Sequence, residues 1–310
     1  MEYQELGETG MIISQLSFGA SSLGGVFHSL KEEDGIAAVH TAVDNGINFI
    51  DVSPYYGHLK AEIVLGKALK YIERSRYHLS TKVGRYGKDG INTWDYTART
   101  SVESVYKSME RLNINFIDLI NVHDVEFADL EMVCNETLPA LIELRDKGLV
   151  KHVGITNLTL RHFKYVIDHV PSGIVESVLS FCHYCLNDDA LVDYLDYFAE
   201  NGVGVINASP FSMGLLTERG APAWHPAPTP LQNLCRKAAE HCKSKGKSIE
   251  QLALKYAVGN SRIATTLFST TRPEAVLQNI RWINEPLDEE LLNEVQKILE
   301  PRFRDTWLNS

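Results

Sequence analysis

Four ionisable residues sit where apolar stretches end. Asp51 closes Ile47-Asn48-Phe49-Ile50-Asp51, Tyr56 follows it in Val52-Ser53-Pro54-Tyr55-Tyr56-Gly57, Lys82 closes Ser80-Thr81-Lys82, and His123 follows Asn121-Val122. A charge at the end of a buried strand needs a partner. Asp51 and Lys82 are 31 residues apart and Lys82 and His123 are 41 apart, each the length of one strand–helix unit. Adjacent parallel strands would gather the four into one cluster. Alone, a strand-end Asp is an ordinary loop cap and a strand-end His an ordinary core residue; four in register point to proton transfer. Tyrosine titrates near pH 10, too high for a base at neutral pH. A Lys82 ammonium about 4 Å away contributes roughly 4 kcal/mol to the phenolate at an effective dielectric near 20, or about three pKa units. The expectation is a Tyr56 that exchanges protons near pH 7, with Asp51 holding Lys82 charged and His123 hydrogen-bonding a reacting oxygen.

The elements that must position these residues follow a repeating pattern of amphipathic helix, glycine stop and short apolar strand. Asp44-Asn45-Gly46 precedes the stretch ending in Asp51, Asp146-Lys147-Gly148 precedes Leu149 to Ile155, and Asn201-Gly202 precedes Val203 to Ile206. Glycine there suits the left-handed residue that closes a helix. The preceding helices carry apolar residues at helical spacing, Ile36, Val39 and Val43 in one and Val102, Val105, Met109 and Leu112 in another. Ser29-Leu30-Lys31-Glu32 has a capping-box pattern. Eight strands are expected, near 16–19, 47–51, 78–82, 116–122, 151–155, 175–180, 203–207 and 263–267. Strands alternating with helices imply right-handed parallel crossovers, and eight such units close into a (β/α)8 TIM barrel, an α/β fold read as one domain over 1–310. Residues 3–14 read as a β-hairpin turning at Gly7 to Gly10 and plugging the barrel floor. The proline-rich stretch from Phe211 to Pro230 reads as a long loop after strand seven, at the C-terminal face where barrel chemistry occurs.

Composition excludes other classes. Of 310 residues, 44% are apolar and 23% charged, which suits a globular protein with a sizeable core. The net charge of −10 disfavours nucleic acid, and the one basic run, Lys243 to Lys247, is too short for such a surface. No stretch is apolar enough to span a membrane, and the acidic start, Met1-Glu2-Tyr3-Gln4-Glu5, lacks a secretory signal's basic and apolar regions. A cytoplasmic protein without a membrane or nucleic-acid partner is expected. Five cysteines fit reduced thiols, and Cys182-His183-Tyr184-Cys185 lacks a second ligand pair, so no metal is expected.

The order of Phe49 to Gly57, Lys82, His123 and Gly154-Ile155-Thr156-Asn157, after an N-terminal hairpin, resembles the aldo-keto reductase superfamily over nearly the whole chain. The resemblance implies a TIM barrel with Tyr56, Lys82, Asp51 and His123 as catalytic residues. Gly84-Arg85-Tyr86, His123 to Phe127, Cys182-His183-Tyr184, Met213 to Glu218 and Trp224-His225-Pro226 resemble the family's aldose 1-dehydrogenases. The implied reaction oxidises the C1 hydroxyl of an aldose of L-galactose, L-fucose or D-arabinose type to a lactone, with hydride passing to NAD(P). The alternative is an NADPH-dependent carbonyl reductase of broad specificity. Tyr56-Gly57-His58-Leu59-Lys60 also fits the Tyr-x-x-x-Lys of short-chain dehydrogenases, but Gly19 to Gly25 is not the glycine fingerprint that family requires.

The resemblance further implies that Thr156 and Asn157 meet the nicotinamide amide. The dinucleotide would run along Ser209, Pro210 and Leu215 to Ser269, Thr271, Arg272 and Asn279. Ala208 stands where the family usually has a stacking aromatic, and Tyr184 or Phe211 is expected to replace it. Arg272 is the only cation near Ser269-Thr270-Thr271, so NAD is expected over NADP. Among the loop residues Phe27, His28, Arg85, Tyr86, Asp124, His183, Trp224 and His225, the expected substrate contacts are Tyr86, Asp124, His183 and Trp224. The family's commoner state implies a monomer acting on a small sugar.

Overall fold

Strands that are apolar on both faces must be covered inside and out. A computed structural model, describing residues 1–25, 31–87, 94–305 and 307, meets that demand with a closed barrel of eight parallel strands behind a short hairpin. The hairpin pairs β1 (Tyr3–Glu5) with β2 (Ile12–Ser14) antiparallel. The barrel runs through β3 (Leu16–Gly19), β4 (Phe49–Asp51), β5 (His78–Val83), β6 (Ile117–Val122), β7 (Val150–Asn157), β8 (Ser177–Phe181), β9 (Gly204–Ala208) and β10 (Thr265–Phe268), and β10 closes on β3. All eight expected strands are present. Five start one or two residues later than expected; at β4, for example, the Ile47 amide still donates to Ala42 at the preceding helix end.

The helices pack outside: α1 (Glu32–Asp44), α2 (Lys60–Leu69), α3 (Ala98–Leu112), α4 (Leu130–Met132), α5 (Leu138–Asp146), α6 (Leu160–His169), α7 (Leu195–Glu200), α8 (Thr229–Ser244), α9 (Ile249–Val258), α10 (Pro273–Asn284) and α11 (Glu289–Leu299). The three helix stops have the left-handed glycines expected, with φ of 91° at Gly46, 74° at Gly148 and 69° at Gly202. The expected cap on α1 is replaced: the helix begins at Glu32 with Lys31 at its N-cap, and Ser29 and Leu30 lie outside the described residues. The connection after β9 is long, as expected, but it ends at Pro228. Pro230 belongs to the first turn of α8, where a missing amide proton costs nothing.

Two cores result. Ile50, Leu79, Ile120, Val153 and Val205 face outward against the helices, while Phe49, Leu119, Leu179, Ile206 and Leu267 fill the barrel. Leu6, Met11 and Ile13 of the hairpin join the inner group, so the hairpin does plug the floor. Its turn lies against the start of β9, where the Glu8 amide donates to the Gly202 carbonyl at 3.1 Å. Gly7 is required there: its φ is 55°, and a Cβ would fall 2.3 Å from the Gly204 nitrogen.

Asp118, buried near the start of β6, ties strands together at this end. Its carboxylate bonds Arg74, accepts the Leu79 amide at 2.9 Å and lies 3.0 Å from Lys151. Burial opposes the charge, but bonds from His78 and Arg74 outweigh it and hold the carboxyl well below its usual range. A depressed carboxyl adds stability that is present above its unfolded pKa of about 3.9 and is lost as pH falls. Asp118→Ala is therefore expected to lose about 3 kcal/mol in urea unfolding at pH 7, and the deficit should narrow below about pH 4. An unchanged midpoint at pH 7 would overturn this role.

Candidate active site

Period-two alternation carries the reactive residues into the lumen above the inner core. Phe49 and Leu119 face inward, so Asp51 and Asn121, two residues on, do too, and His123 continues the row. These side chains form a chain of donors. Asn121 Nδ2 donates to Ser80 Oγ at 2.9 Å, and Ser80 Oγ donates to Asp51 Oδ1 at 2.9 Å. Lys82 Nζ donates to Asp51 Oδ2 at 2.5 Å and to the Val52 carbonyl at 2.8 Å. The ammonium stands 5.0 Å from the Tyr56 ring centre, close enough for its charge to act on the phenol. The Tyr56 ring meets His123 edge-on at 5.8 Å between centres. The structure thus brings Asp51, Tyr56, Lys82 and His123 together, as their spacing predicts.

The electrostatics differ from expectation at Tyr56. Burial pushes its hydroxyl above tyrosine's usual value, and the attraction of Lys82 does not offset it because Asp51 and Asp124 add repulsion. The expected titration near pH 7 is corrected: burial outweighs the Lys82 charge, part of which Asp51 and Asp124 offset. Burial likewise opposes the charge of Lys82, but Asp51 and Tyr56 outweigh it and hold the amine protonated. His123 is pushed well below its usual value by burial and then by Lys82 and Arg85, so the imidazole is neutral at pH 7.

Beside His123, Asp124 adopts a left-handed conformation (φ 48°) that turns its carboxylate toward the site. Oδ2 lies 3.6 Å from His123 Nε2 and 2.5 Å from Arg85 Nη1, while Oδ1 accepts from Thr156 Oγ1 at 3.2 Å. The Arg85 guanidinium lies 3.6 Å from the Tyr55 ring centre, 4.4 Å from that of Trp94 and 5.7 Å from that of Phe127. Arg85 therefore takes the place beside the site expected of Tyr86. Tyr86 packs into the outer core, its hydroxyl accepting the Gly84 amide at 2.8 Å and meeting Ser101 and Ser104 of α3.

The remaining expected residues have partners of their own. His183 is buried, with Nδ1 3.1 Å from Asp188 and Nε2 without a partner among the described residues. Trp224 is 54% exposed and stacked beside His225 on the loop after β9. Phe27 and His28 lie outside the described residues. Thr156 and Asn157 are buried and bonded within the chain: Thr156 Oγ1 accepts the Asp124 amide, and Asn157 joins the Glu126 amide to the Thr159 carbonyl. Tyr184 stacks on Tyr256 at 5.2 Å, so it does not replace the aromatic missing at Ala208; Phe211 is partly buried nearby in sequence.

The ends of β8, β9 and β10 carry the residues expected to hold the nucleotide. Cys182, Ser209, Ser212 and Met213 hold left-handed backbone conformations, a strain that concentrates at ligand-binding turns. Pro210 and Leu215 are buried in the same loop. Ser269 Oγ accepts the Ser22 amide at 2.9 Å and donates to Ser22 Oγ at 2.7 Å, which pins the loop into α10. Thr271 and an exposed Arg272 without an ion-pair partner among the described residues stand at the α10 N-terminus, and Asn279 is buried on that helix. Among the described residues, no three His, Cys, Asp or Glu side chains are grouped to hold a metal ion.

Comparison with known proteins agrees with this geometry. The aldo/keto reductase family model matches residues 15–300. The chain belongs to the aldo/keto reductase family. Its relatives in the family include the L-galactose dehydrogenase of Arabidopsis thaliana, 45% identical over 99% of this chain and 97% of that protein. The D-arabinose 1-dehydrogenase of Saccharomyces cerevisiae is 30% identical over 86% of this chain and 84% of its own. Among solved structures, an aldo-keto reductase from Bacillus halodurans in its holo form superposes with a TM-score of 0.79, 25% identity and 96% coverage of both chains. The family resemblance and the barrel read from the sequence are thus both correct.

Sequence reasoning assigned no role to Ser53, Ser80, Asn121 or Arg85. Ser80 and Asn121 had a usable signal, since each precedes a reactive residue by two positions on the same strand face.

Proposed function

We propose that the protein is an NAD-dependent aldose 1-dehydrogenase that oxidises an aldose of L-galactose, L-fucose or D-arabinose type at C1 to its lactone. The observation that carries this reading is the lumen cluster of Asp51, Tyr56, Lys82 and His123 with the Asp124 carboxylate 3.6 Å from His123 Nε2. A reacting oxygen between Tyr56 and His123 and a neighbouring hydroxyl on Asp124 describe a polyol, and the names of the relatives support a sugar. The bound nicotinamide nucleotide would accept the hydride. In its phenolate form Tyr56 takes the proton of the C1 hydroxyl, Asp51 holds Lys82 beside the phenol, and His123 donates a hydrogen bond to the oxygen as charge moves. Asp124, with His183 and Trp224, would bind further hydroxyls; Thr156, Asn157, Ser209, Pro210, Leu215, Ser269, Thr271, Arg272 and Asn279 would hold the nucleotide. Initial rates on the three sugars, with NAD and with NADP, test the reading, and the absence of sugar oxidation would overturn it.

A protonated Tyr56 favours a second reading, reduction of a carbonyl with the phenol as proton donor. Faster NADPH-driven aldehyde reduction than sugar oxidation would establish it. For the cofactor, the neutral Ser269 and Thr271 hydroxyls support NAD, with Arg272 the one cation beside them in the sequence. Arg272→Ala should leave kcat/KM with NAD within about twofold and lower any activity with NADP about tenfold or more, the value of one charge-assisted hydrogen bond. Equal losses with both would overturn that assignment. Five free, buried cysteines support a reducing, cytoplasmic setting, and no helix of the described residues is long and apolar enough to cross a membrane. A monomer is the proposed state, with sedimentation as its test.

A further inference from the structure

Ser53 lies two residues past β4 and is fully buried between Asp51 and Tyr56. Its hydroxyl makes two hydrogen bonds among the described residues. Oγ accepts the Tyr55 amide at 3.1 Å, and it stands 3.1 Å from His123 Nδ1. Oγ has a second lone pair and could accept from an Nδ1–H as well, but its buried hydroxyl proton would then meet no acceptor among the described residues; the pairing that satisfies every donor has Ser53 donating to the imidazole. His123 is neutral in this setting, flanked by the cations Lys82 and Arg85, with Asp124 and the rings of Tyr55 and Tyr56 around it. A neutral imidazole carries one proton, and the bond made at one nitrogen decides which nitrogen holds it. With Nδ1 accepting from Ser53, the proton must be on Nε2. At 3.6 Å from Asp124 Oδ2, that N–H is beyond a direct hydrogen bond and remains available to a ligand oxygen.

We propose that Ser53 is a positioning residue: by donating to Nδ1 it fixes the His123 tautomer and presents Nε2–H to the oxygen of the reacting carbon. The assignment of that oxygen rests on the proposed dehydrogenase reading; the tautomer itself does not. Without Ser53 the Nδ1–H form becomes accessible, and in that form Nε2 meets a substrate hydroxyl as an acceptor and gives no stabilisation to negative charge forming on the oxygen.

The test uses the full chain labelled with 15N-histidine, the His123 signals being those lost in His123→Asn. Wild type should show protonated Nε2 and unprotonated Nδ1 on His123. Ser53→Ala should shift both nitrogens toward averaged or reversed values, and Ser53→Thr, which keeps the hydroxyl, should restore them. In kinetics, Ser53→Ala should lower kcat about 10- to 100-fold with KM for the nucleotide unchanged, and Ser53→Thr should recover to within about threefold. Ser53→Cys, close in size with a weak donor, should fall between them and serves if Ser53→Ala does not fold. An unaltered His123 tautomer in Ser53→Ala, or in Ser53→Cys in its place, overturns the proposal. Wild type that oxidises no aldose yet shows the tautomer change overturns the dehydrogenase reading and leaves the role of Ser53 standing.

Discussion

Tyr56→Phe is expected to lower kcat for sugar oxidation about 10³-fold, within the range that a single positioned acid–base group supplies. The ring is kept, so its edge-on contact with His123 and its packing on Lys82 survive, and the melting temperature and nucleotide affinity should stay near those of wild type. The same group sets a pH dependence. Burial and the carboxylates of Asp51 and Asp124 hold the phenol above its usual value despite Lys82, so below that value it carries its proton and cannot take one from a substrate. Oxidation by wild type should therefore rise with pH through neutrality and well into the alkaline range, and the rise should be missing in Tyr56→Phe. The proton-donor direction has the opposite sign: carbonyl reduction should be flat through neutrality and fall only at alkaline pH. A plateau of oxidation by pH 7, or more than a tenth of activity in Tyr56→Phe, would show that another group moves the proton.

The second large effect concerns the Asp51–Lys82 pair, both members of which are buried. Asp51→Ala leaves an ammonium in the lumen with the Val52 carbonyl as its remaining hydrogen-bond acceptor among the described residues, and is expected to cost about 3 to 5 kcal/mol. Lys82→Met should cost less, about 1 to 3 kcal/mol, because burial already raises the Asp51 pKa and the carboxyl can take up a proton while still bonded to Ser80. Both variants should be inactive. Asp51→Asn/Lys82→Met buries no net charge, so it should regain most of the lost stability and none of the activity. Denaturant unfolding of the three variants beside wild type decides the matter; a double variant no more stable than Asp51→Ala would mean that the pair's cost is not one of stranded charge.

The eight strands were legible because each is a short apolar run, three of them behind a glycine helix stop, and the catalytic group because charge at the end of such a run is conspicuous. The errors have a common origin in direction. Arg85 and Tyr86 are neighbours, yet one guanidinium reaches the Asp124 carboxylate and the other ring turns into the outer core. No periodicity marks that divergence where a strand gives way to a loop. The rings around Arg85 come from positions 55, 94 and 127, three separate connections, and only the closed barrel brings them together. Ser53 is an uncharged residue in a turn and carries no signal until His123 is seen beside it. For Tyr56, one helpful charge could be read from the residue types, but the depth of burial and the repulsion of two carboxylates required the fold.

Leu6, Met11 and Ile13 close one end of the barrel beneath the inner core, which leaves the opposite end as the approach to the reactive group. Two ligands that share one mouth cannot pass each other. On the proposed two-ligand reading the deeper-seated would enter first and leave last, so the hairpin, without touching either, would turn a reaction between two molecules into a queue.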